Sequence, residues 1–577
     1  MRPRVLPVLL LALTLLCSCT GPGVQGGDPV TPTQSATTAA PVRLTVVAEA
    51  DPAAAAEHAS RVLFRSADVA VLARDGDRPG TLLGASAAVS LGVPLLLQPA
   101  GGDDAGVARE LDRLGAGTVL AVGAAAAPAT APGDTRRTVI AVAATPASLA
   151  GAGVRLGRPL AVPPDGAATA IAGLQPDTPR ALHPPAGAAP SATPSASLSA
   201  SPSASASTSA STSPSARASA GKPRRVPAVH RGRPLADTVV LGTGGPEVLA
   251  GLATARAAGA RVVLTDGPDP RASSAVVGAL AQARPTSVMA LGAPFAGDHD
   301  LDWQLATATT GRQLPGGGQL VFPGRTLVAL YGTPGTAALG VLGEQGLDAS
   351  IARARQHAAR YDKLIDGPVV PTFEIIATVA SAVAGPDGNY STEIDPATLR
   401  PWVVAAQRAG LYVVLDLQPG RADFLTQAKQ YQSLLALPNV GLALDPEWRL
   451  GPGELPLQQI GSVGIDEINR VAGWLAALTR SKLLPQKLLV LHQFRVSMIQ
   501  GRDRLDTSHP ELAVVLHADG QGTQGNKQAT WRTLHQDLPH GPLFWGWKNF
   551  YDEDHPMLTP EQTVAQVSPR PDLISYQ

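Results

Sequence analysis

Val440-Gly441-Leu442-Ala443-Leu444-Asp445-Pro446-Glu447-Trp448 is a run of five apolar residues that ends in two carboxylates and an indole. A short apolar run stopped by a proline predicts a strand buried on both faces. Seven comparable runs lie at residues 327–330, 369–377, 412–415, 488–491, 512–516, 543–547 and 573–576. Helical stretches separate most of them, for example 348–364, 396–409, 423–435 and 466–479, and the sixth and seventh runs are joined by a helix candidate at 527–535. Asp348 suits a helix N-cap and Pro396 a first helical turn. Eight buried strands alternating with helices over about 250 residues predict an α/β domain of (β/α)8, TIM-barrel-like type spanning 326–577.

Polar residues follow these strands repeatedly. Tyr331 follows the first, Asp416 and Gln418 the third, and Asp445, Glu447 and Trp448 the fourth. His492 and Gln493 follow the fifth, His517 and Asp519 the sixth, and Lys548 with Asp552 the seventh. In a barrel such ends converge on one face, where the chemistry resides. Asp445 and Glu447 form the sharpest pair. Two residues apart on extended backbone, they point to the same side and share one pocket. A glycosidase needs a carboxyl group protonated near neutral pH to assist the leaving oxygen, and a neighbouring carboxylate raises that group's pKa. Asp416, one strand earlier, adds a third candidate carboxylate to that pocket. A structural pair bound to Arg449 or a nearby lysine is the alternative.

Expected substrate-binding residues are Tyr331, Trp448, His492, His517, Asp519, Trp545 and Tyr576. Trp448, Trp545 and Tyr576 offer flat faces for sugar rings, although Trp545 and Trp547 suit a core equally well. His492, His517 and Asp519 are of metal-ligand type, but no His-x-His pair or His-Glu-x-x-His helix supports them. No metal and no cofactor is expected, and no Gly-x-Ser-x-Gly elbow anchors Ser/His/Asp catalysis.

The stretch from Val440 to Trp448 resembles the fourth-strand motif of family 18 chitinases, Asp-Gly-x-Asp-x-Asp-x-Glu. Gly441, Asp445 and Glu447 match it, whereas Val440 and Ala443 stand at its first two aspartates. It also resembles the Asp-x-Glu of family 25 lysozymes. These resemblances imply hydrolysis of a glycan containing N-acetyl sugars. They imply Glu447 as the general acid and Asp445 as its partner; in a chitinase-like mechanism the substrate's acetamido group attacks and Asp445 orients it. The missing aspartates favour the alternative of a non-catalytic surface scaffold or ligand-binding protein with an inactive barrel.

Upstream, the chain repeats itself. Residues 67–72, 91–97 and 118–123 are matched by 236–241, 258–264 and 287–292. Each copy reads as buried strands alternating with Ala-rich helices, which predicts a Rossmann-like parallel sheet covered on both faces. Leu241-Gly242-Thr243-Gly244-Gly245 fits neither the dinucleotide fingerprint nor the P-loop, and reads as a tight strand-to-helix turn. At residues 60–73 and 87–97 the region resembles the cell wall binding repeat 2 family, which implies binding of anionic wall polymer. Where that family has Phe-Pro-Asp-Ala, the two copies have Arg78-Pro79-Gly80-Thr81 and Gly245-Pro246-Glu247-Val248, so only the proline survives. The expected module is split into 44–180 and 226–325 by a Ser/Ala/Pro-rich segment at 181–225, too poor in apolar residues to offset the entropy of ordering.

Arg2 and Arg4 precede an apolar run at 5–16, too short to span a bilayer and suited to a signal peptide. Leu16-Cys17-Ser18-Cys19 resembles the lipobox of bacterial lipoproteins. It implies a signal peptide at 1–18, lipid on Cys19 and a place on the extracellular face of the membrane. Residues 19–43 read as a flexible tether. Cys17 and Cys19 are the only cysteines, so the remainder holds together without disulfides. A formal net charge of zero gives no global field for nucleic acid. Expected partners are a cell-wall glycan or anionic wall polymer, and the membrane through Cys19.

Overall fold

Eight parallel strands form a closed barrel in the C-terminal part of the computed structural model, which describes residues 34–102, 104–126, 137–185 and 224–577. They are Thr326–Gly332, Val369–Ala380, Tyr412–Leu417, Val440–Leu444, Lys487–Gln493, Leu512–Ala518, Phe544–Asn549 and Leu573–Tyr576. Each pairs with the next. The eighth returns to the first through Leu573↔Leu327 and Tyr576↔Leu330, so the barrel strands leave no free edge. A short antiparallel strand, Ser391–Glu393, lies on the end of the second. All eight predicted strands are present, most extended by one to three residues at their ends.

Alternation along the strands divides their side chains between two cores. Leu327, Ala329, Val370, Tyr412, Val414, Ala443, Leu488, Val490, Ala513, Val515 and Leu573 fill the interior, closed at the N-terminal end by Leu314, Val321 and Phe322. The opposite parity, including Leu330, Phe373, Leu442, Leu491 and Leu516, packs under the helices. Helix Ile465–Ser481 shows why this layer holds. Ile465, Ile468, Val471, Ala472 and Leu475 form one buried stripe, and each large aliphatic side chain so buried contributes roughly 1.5–3 kcal/mol. Helix Gln524–Leu534 starts three residues before its predicted position because Thr523 caps the Asn526 amide.

The N-terminal part holds two four-stranded parallel sheets with the same order. One runs Leu95–Gln98, Val69–Arg74, Thr118–Val122, Thr138–Val142; the other runs Arg261–Leu264, Thr238–Gly242, Ser287–Leu291, Leu44–Val47. The matched segments of the two copies thus occupy equivalent places. The fourth strand does not. Leu44–Val47, which precedes the first copy, completes the sheet of the second by pairing with Ser287–Leu291. Helices Pro52–Leu63, Arg78–Leu91 and Leu249–Ala257 pack between the sheets in one continuous core. A Cβ at Gly251 would fall 2.7 Å from Leu291 Cδ2 and 3.3 Å from Ala59 Cβ, so any larger residue would force Leu291 to shift.

Two expected boundaries shift. Gln34–Thr38, placed in the tether, is a strand pairing with Phe64–Ala67 and Val229–His230. Arg180–His183, at the start of the expected linker, is a strand pairing with Gly157–Ala161. The expected signal peptide, Cys19, the tether up to residue 33 and residues 186–223 of the linker lie outside the described residues. Among the described residues no helix is long and apolar enough to cross a membrane. The sheets meet the barrel through Trp303, whose ring lies 4.5 Å from the Arg271 guanidinium and 4.4 Å from that of Arg480, while Arg271 donates to the Pro510 carbonyl at 3.1 Å.

Candidate active site

The inward parity that builds the barrel core also assembles its polar end. Continuing each inward row upward gives Tyr331, Glu374, Asp416, His492, His517, Lys548 and Ser575. Above them Asp445, Glu447, Trp448, Gln418, Phe494, Arg495 and Asp519 line a pocket of about 500 Å³, together with Tyr331 and Lys548. Gly546 makes room for His517, since a Cβ there would lie 2.1 Å from its Cδ2.

Asp445 ends the fourth strand, but the backbone does not continue extended. Pro446–Trp448 forms a 3-10 turn that places Glu447 and Trp448 at the pocket wall. Both carboxyl groups therefore reach one pocket by a turn, not by strand alternation. Arg449 pairs with Glu467 at 3.1 Å instead of with either acid. The nearby lysine, Lys548, pairs with Asp519.

Three ion pairs form the floor. His492 Nε2 lies 3.0 Å from Glu374 Oε1 and Nδ1 lies 3.2 Å from Asp519 Oδ2. Burial opposes a charge on this imidazole, but Glu374, Asp416 and Asp519 outweigh it and hold its pKa well above the ordinary value. Lys548 lies 3.0 Å from Asp519 Oδ1 and 3.6 Å from the Tyr331 ring centroid. Against the same burial, Lys548 and His492 keep Asp519 below the usual carboxylate range, and His492 does so for Glu374. His517, 3.0 Å from Ser575 Oγ, is pushed down to about 3 by burial and by His492, and is neutral.

The remaining acids go the other way. Tyr331 donates a 2.8 Å hydrogen bond to Asp416, yet burial raises the pKa of that carboxyl. Burial, then Glu447 and Asp416, push Asp445 well above the usual range. Burial and Asp519 push Glu447 up to about 7. The pocket thus holds acids of both kinds, Glu374 and Asp519 pushed down and Asp416, Asp445 and Glu447 pushed up, the division general-acid catalysis needs. Glu374 Oε2, Asp416 Oδ1, Asp445 Oδ1, Trp448 Nε1 and His517 Nδ1 are buried without a hydrogen-bond partner among the described residues. Polar atoms so placed can be satisfied by ordered water or by the polar groups of a ligand.

Ligand atoms of His492, His517 and Asp519 lie within 4.8 Å of one another. A metal there would have to displace the contacts of Asp519 with His492 and Lys548.

Of the expected site residues, Asp416, Asp445, Glu447, Tyr331, Trp448, His492, His517 and Asp519 come together at this end of the barrel. Trp545 and Tyr576 do not. Both have outward parity and pack under the helices. Trp545 meets Trp531 edge-on at 5.7 Å, and the Tyr576 hydroxyl lies 2.6 Å from that of Tyr361. The site also takes in Glu374, Phe494 and Arg495, which the sequence pattern does not single out, and Lys548, which it gives only as a strand-end residue. Glu374 is the one charged residue inside the apolar run 369–377, a signal readable in the sequence.

No family model matches the chain, and no curated protein matches it. Among solved structures it is similar to Cwp6 from Clostridium difficile, with 10% identity and a TM-score of 0.32 over 65% of this chain; it spans 63% of the length of that one. It is also similar to a xylanase and α-amylase inhibitor protein from Scadoxus multiflorus, XAIP-II, with 14% identity and a TM-score of 0.27 over 44% of this chain and 92% of that one. The related XAIP-I, determined with trehalose, gives 14% identity and a TM-score of 0.28 over the same 44% and 92%.

Proposed function

We propose that the barrel hydrolyses a glycan containing N-acetyl sugars, with Glu447 as general acid. One observation carries this reading: Glu447, poised at about 7, and the partnerless Asp445 open into the same pocket beside Trp448. Glu447 gives its proton to the glycosidic oxygen as the bond to the anomeric carbon breaks. The acetamido oxygen of the same sugar attacks that carbon from the opposite face, and Asp445 orients the acetamido group. Glu447, now a carboxylate, takes a proton from the water that opens the cyclic intermediate, which restores the starting state. Trp448 provides an aromatic face for a sugar ring. In the same proposal the N-terminal sheets hold anionic wall polymer, lipid on Cys19 tethers the chain outside the cell, and the barrel cuts glycan within its reach.

A second reading is a binding protein with an inactive barrel. Ala443, at the place of the motif's inner aspartate, is packed into the barrel interior. Incubation of the full chain with chitin oligomers and with peptidoglycan fragments separates the two. Hydrolysis predicts sugar release that falls by about 10²–10⁴-fold in Glu447→Gln. Binding without release by the unaltered chain supports the second reading.

A further inference from the structure

The floor and the mouth of the pocket differ in their free charge. At the floor each cation is engaged, Lys548 by Asp519 and His492 by Glu374 and Asp519. At the mouth Arg495 is exposed. Its guanidinium has no ion-pair or hydrogen-bond partner among the described residues, and its nearest ring is Phe494 at 5.9 Å. The backbone that carries it is nevertheless pinned. Gln493 donates to the Val496 carbonyl at 3.1 Å and accepts from Arg502 at 2.8 Å, and Val463 pairs with Ile499 just beyond. The loop so pinned presents Phe494 and Arg495 together on the pocket wall that Trp448 also lines.

We infer that Arg495 selects a glycan whose sugars carry a carboxylate, seated with that carboxylate at the mouth and a neutral N-acetyl sugar at the floor. This rests on the glycan reading above and names the substrate class within it. The floor cations are already engaged, so among the described residues lining the pocket Arg495 is the one cation free to pair with a ligand carboxylate; Glu553, exposed on the same lining, repels such a group and leaves Arg495 as its place. Arginine suits the task because its planar fork accepts a carboxylate on two parallel N–H bonds.

The test uses the full chain carrying Glu447→Gln, so that binding is read without turnover. The probes are chitotetraose, a tetrasaccharide of alternating N-acetylglucosamine and N-acetylmuramic acid, and the carboxyl-reduced form of the latter. The acidic tetrasaccharide is expected to bind more tightly than its reduced form, with a preference that shrinks as salt is added. Adding Arg495→Ala should lower the ratio of acidic to reduced affinity by about 3- to 10-fold, and Arg495→Lys by less. An unchanged ratio in Arg495→Ala, with saccharides still bound, overturns this inference alone. Failure of all three saccharides to bind overturns the glycan reading and this inference with it.

Discussion

Glu447→Gln should make the protein more stable at alkaline pH while removing its activity. A carboxyl whose pKa rises from 4.5 to about 7 on folding is harder to ionise in the folded chain than in the unfolded one. The folded state therefore binds more protons between these values, and stability falls as pH rises through that window. Below it both states are protonated and the residue contributes nothing; above it the penalty is complete. At ~1.4 kcal/mol per tenfold the gap corresponds to roughly 3 kcal/mol, and partial exposure to solvent reduces this to ~1–2 kcal/mol. The neutral amide introduced by Glu447→Gln escapes the penalty. Thermal melts of the full chain should give equal Tm values for both proteins at about pH 4, and a Tm higher by roughly 2–8 °C for the variant at about pH 8. A variant less stable by the same amount at both pH values would refute the reasoning, because Glu447 would then be held by favourable contacts rather than strained by its place in the pocket.

Further outcomes follow from the same geometry. Asp519→Asn leaves Lys548 without its counter-charge and His492 short of one, and should cost ~3–5 kcal/mol in urea unfolding of the full chain. Trp448→Ala should weaken chitotetraose binding about tenfold in titration calorimetry. Tyr576→Phe should instead lose ~1 kcal/mol of stability through its bond to Tyr361 and leave saccharide affinity unchanged. Trp303→Ala removes the ring between Arg271 and Arg480, and limited proteolysis should then cut faster between the sheets and the barrel.

Much of this was readable from residues alone, and the failures have physical causes. The barrel strands were legible because each is a short apolar run bounded by polar residues, and the order of their polar ends gave most of the site. Side-chain direction was harder. Phe544 faces the interior, so Gly546 and Lys548 do too, and Trp545 must face the helices. That parity follows from one correctly placed neighbour, and it would have exchanged Trp545 for Lys548 as a site residue. Tyr576 fails the same way beside Leu573 and Ser575. Glu374 is masked because the run around it reads as core, although a carboxylate buried there demands a partner, which His492 supplies. The pairing of Leu44–Val47 with Ser287–Leu291 left no local trace. Strand propensity says that a segment is extended, not which distant edge it completes.

Hydrolysis through Glu447 is tested by sugar release from peptidoglycan fragments and chitin oligomers by the full chain and by Glu447→Gln, followed across pH. Glycan hydrolysis through Glu447 predicts release by the unaltered chain that declines as pH rises past about 7 and is lost in the variant. Release that proceeds undiminished in Glu447→Gln would contradict it.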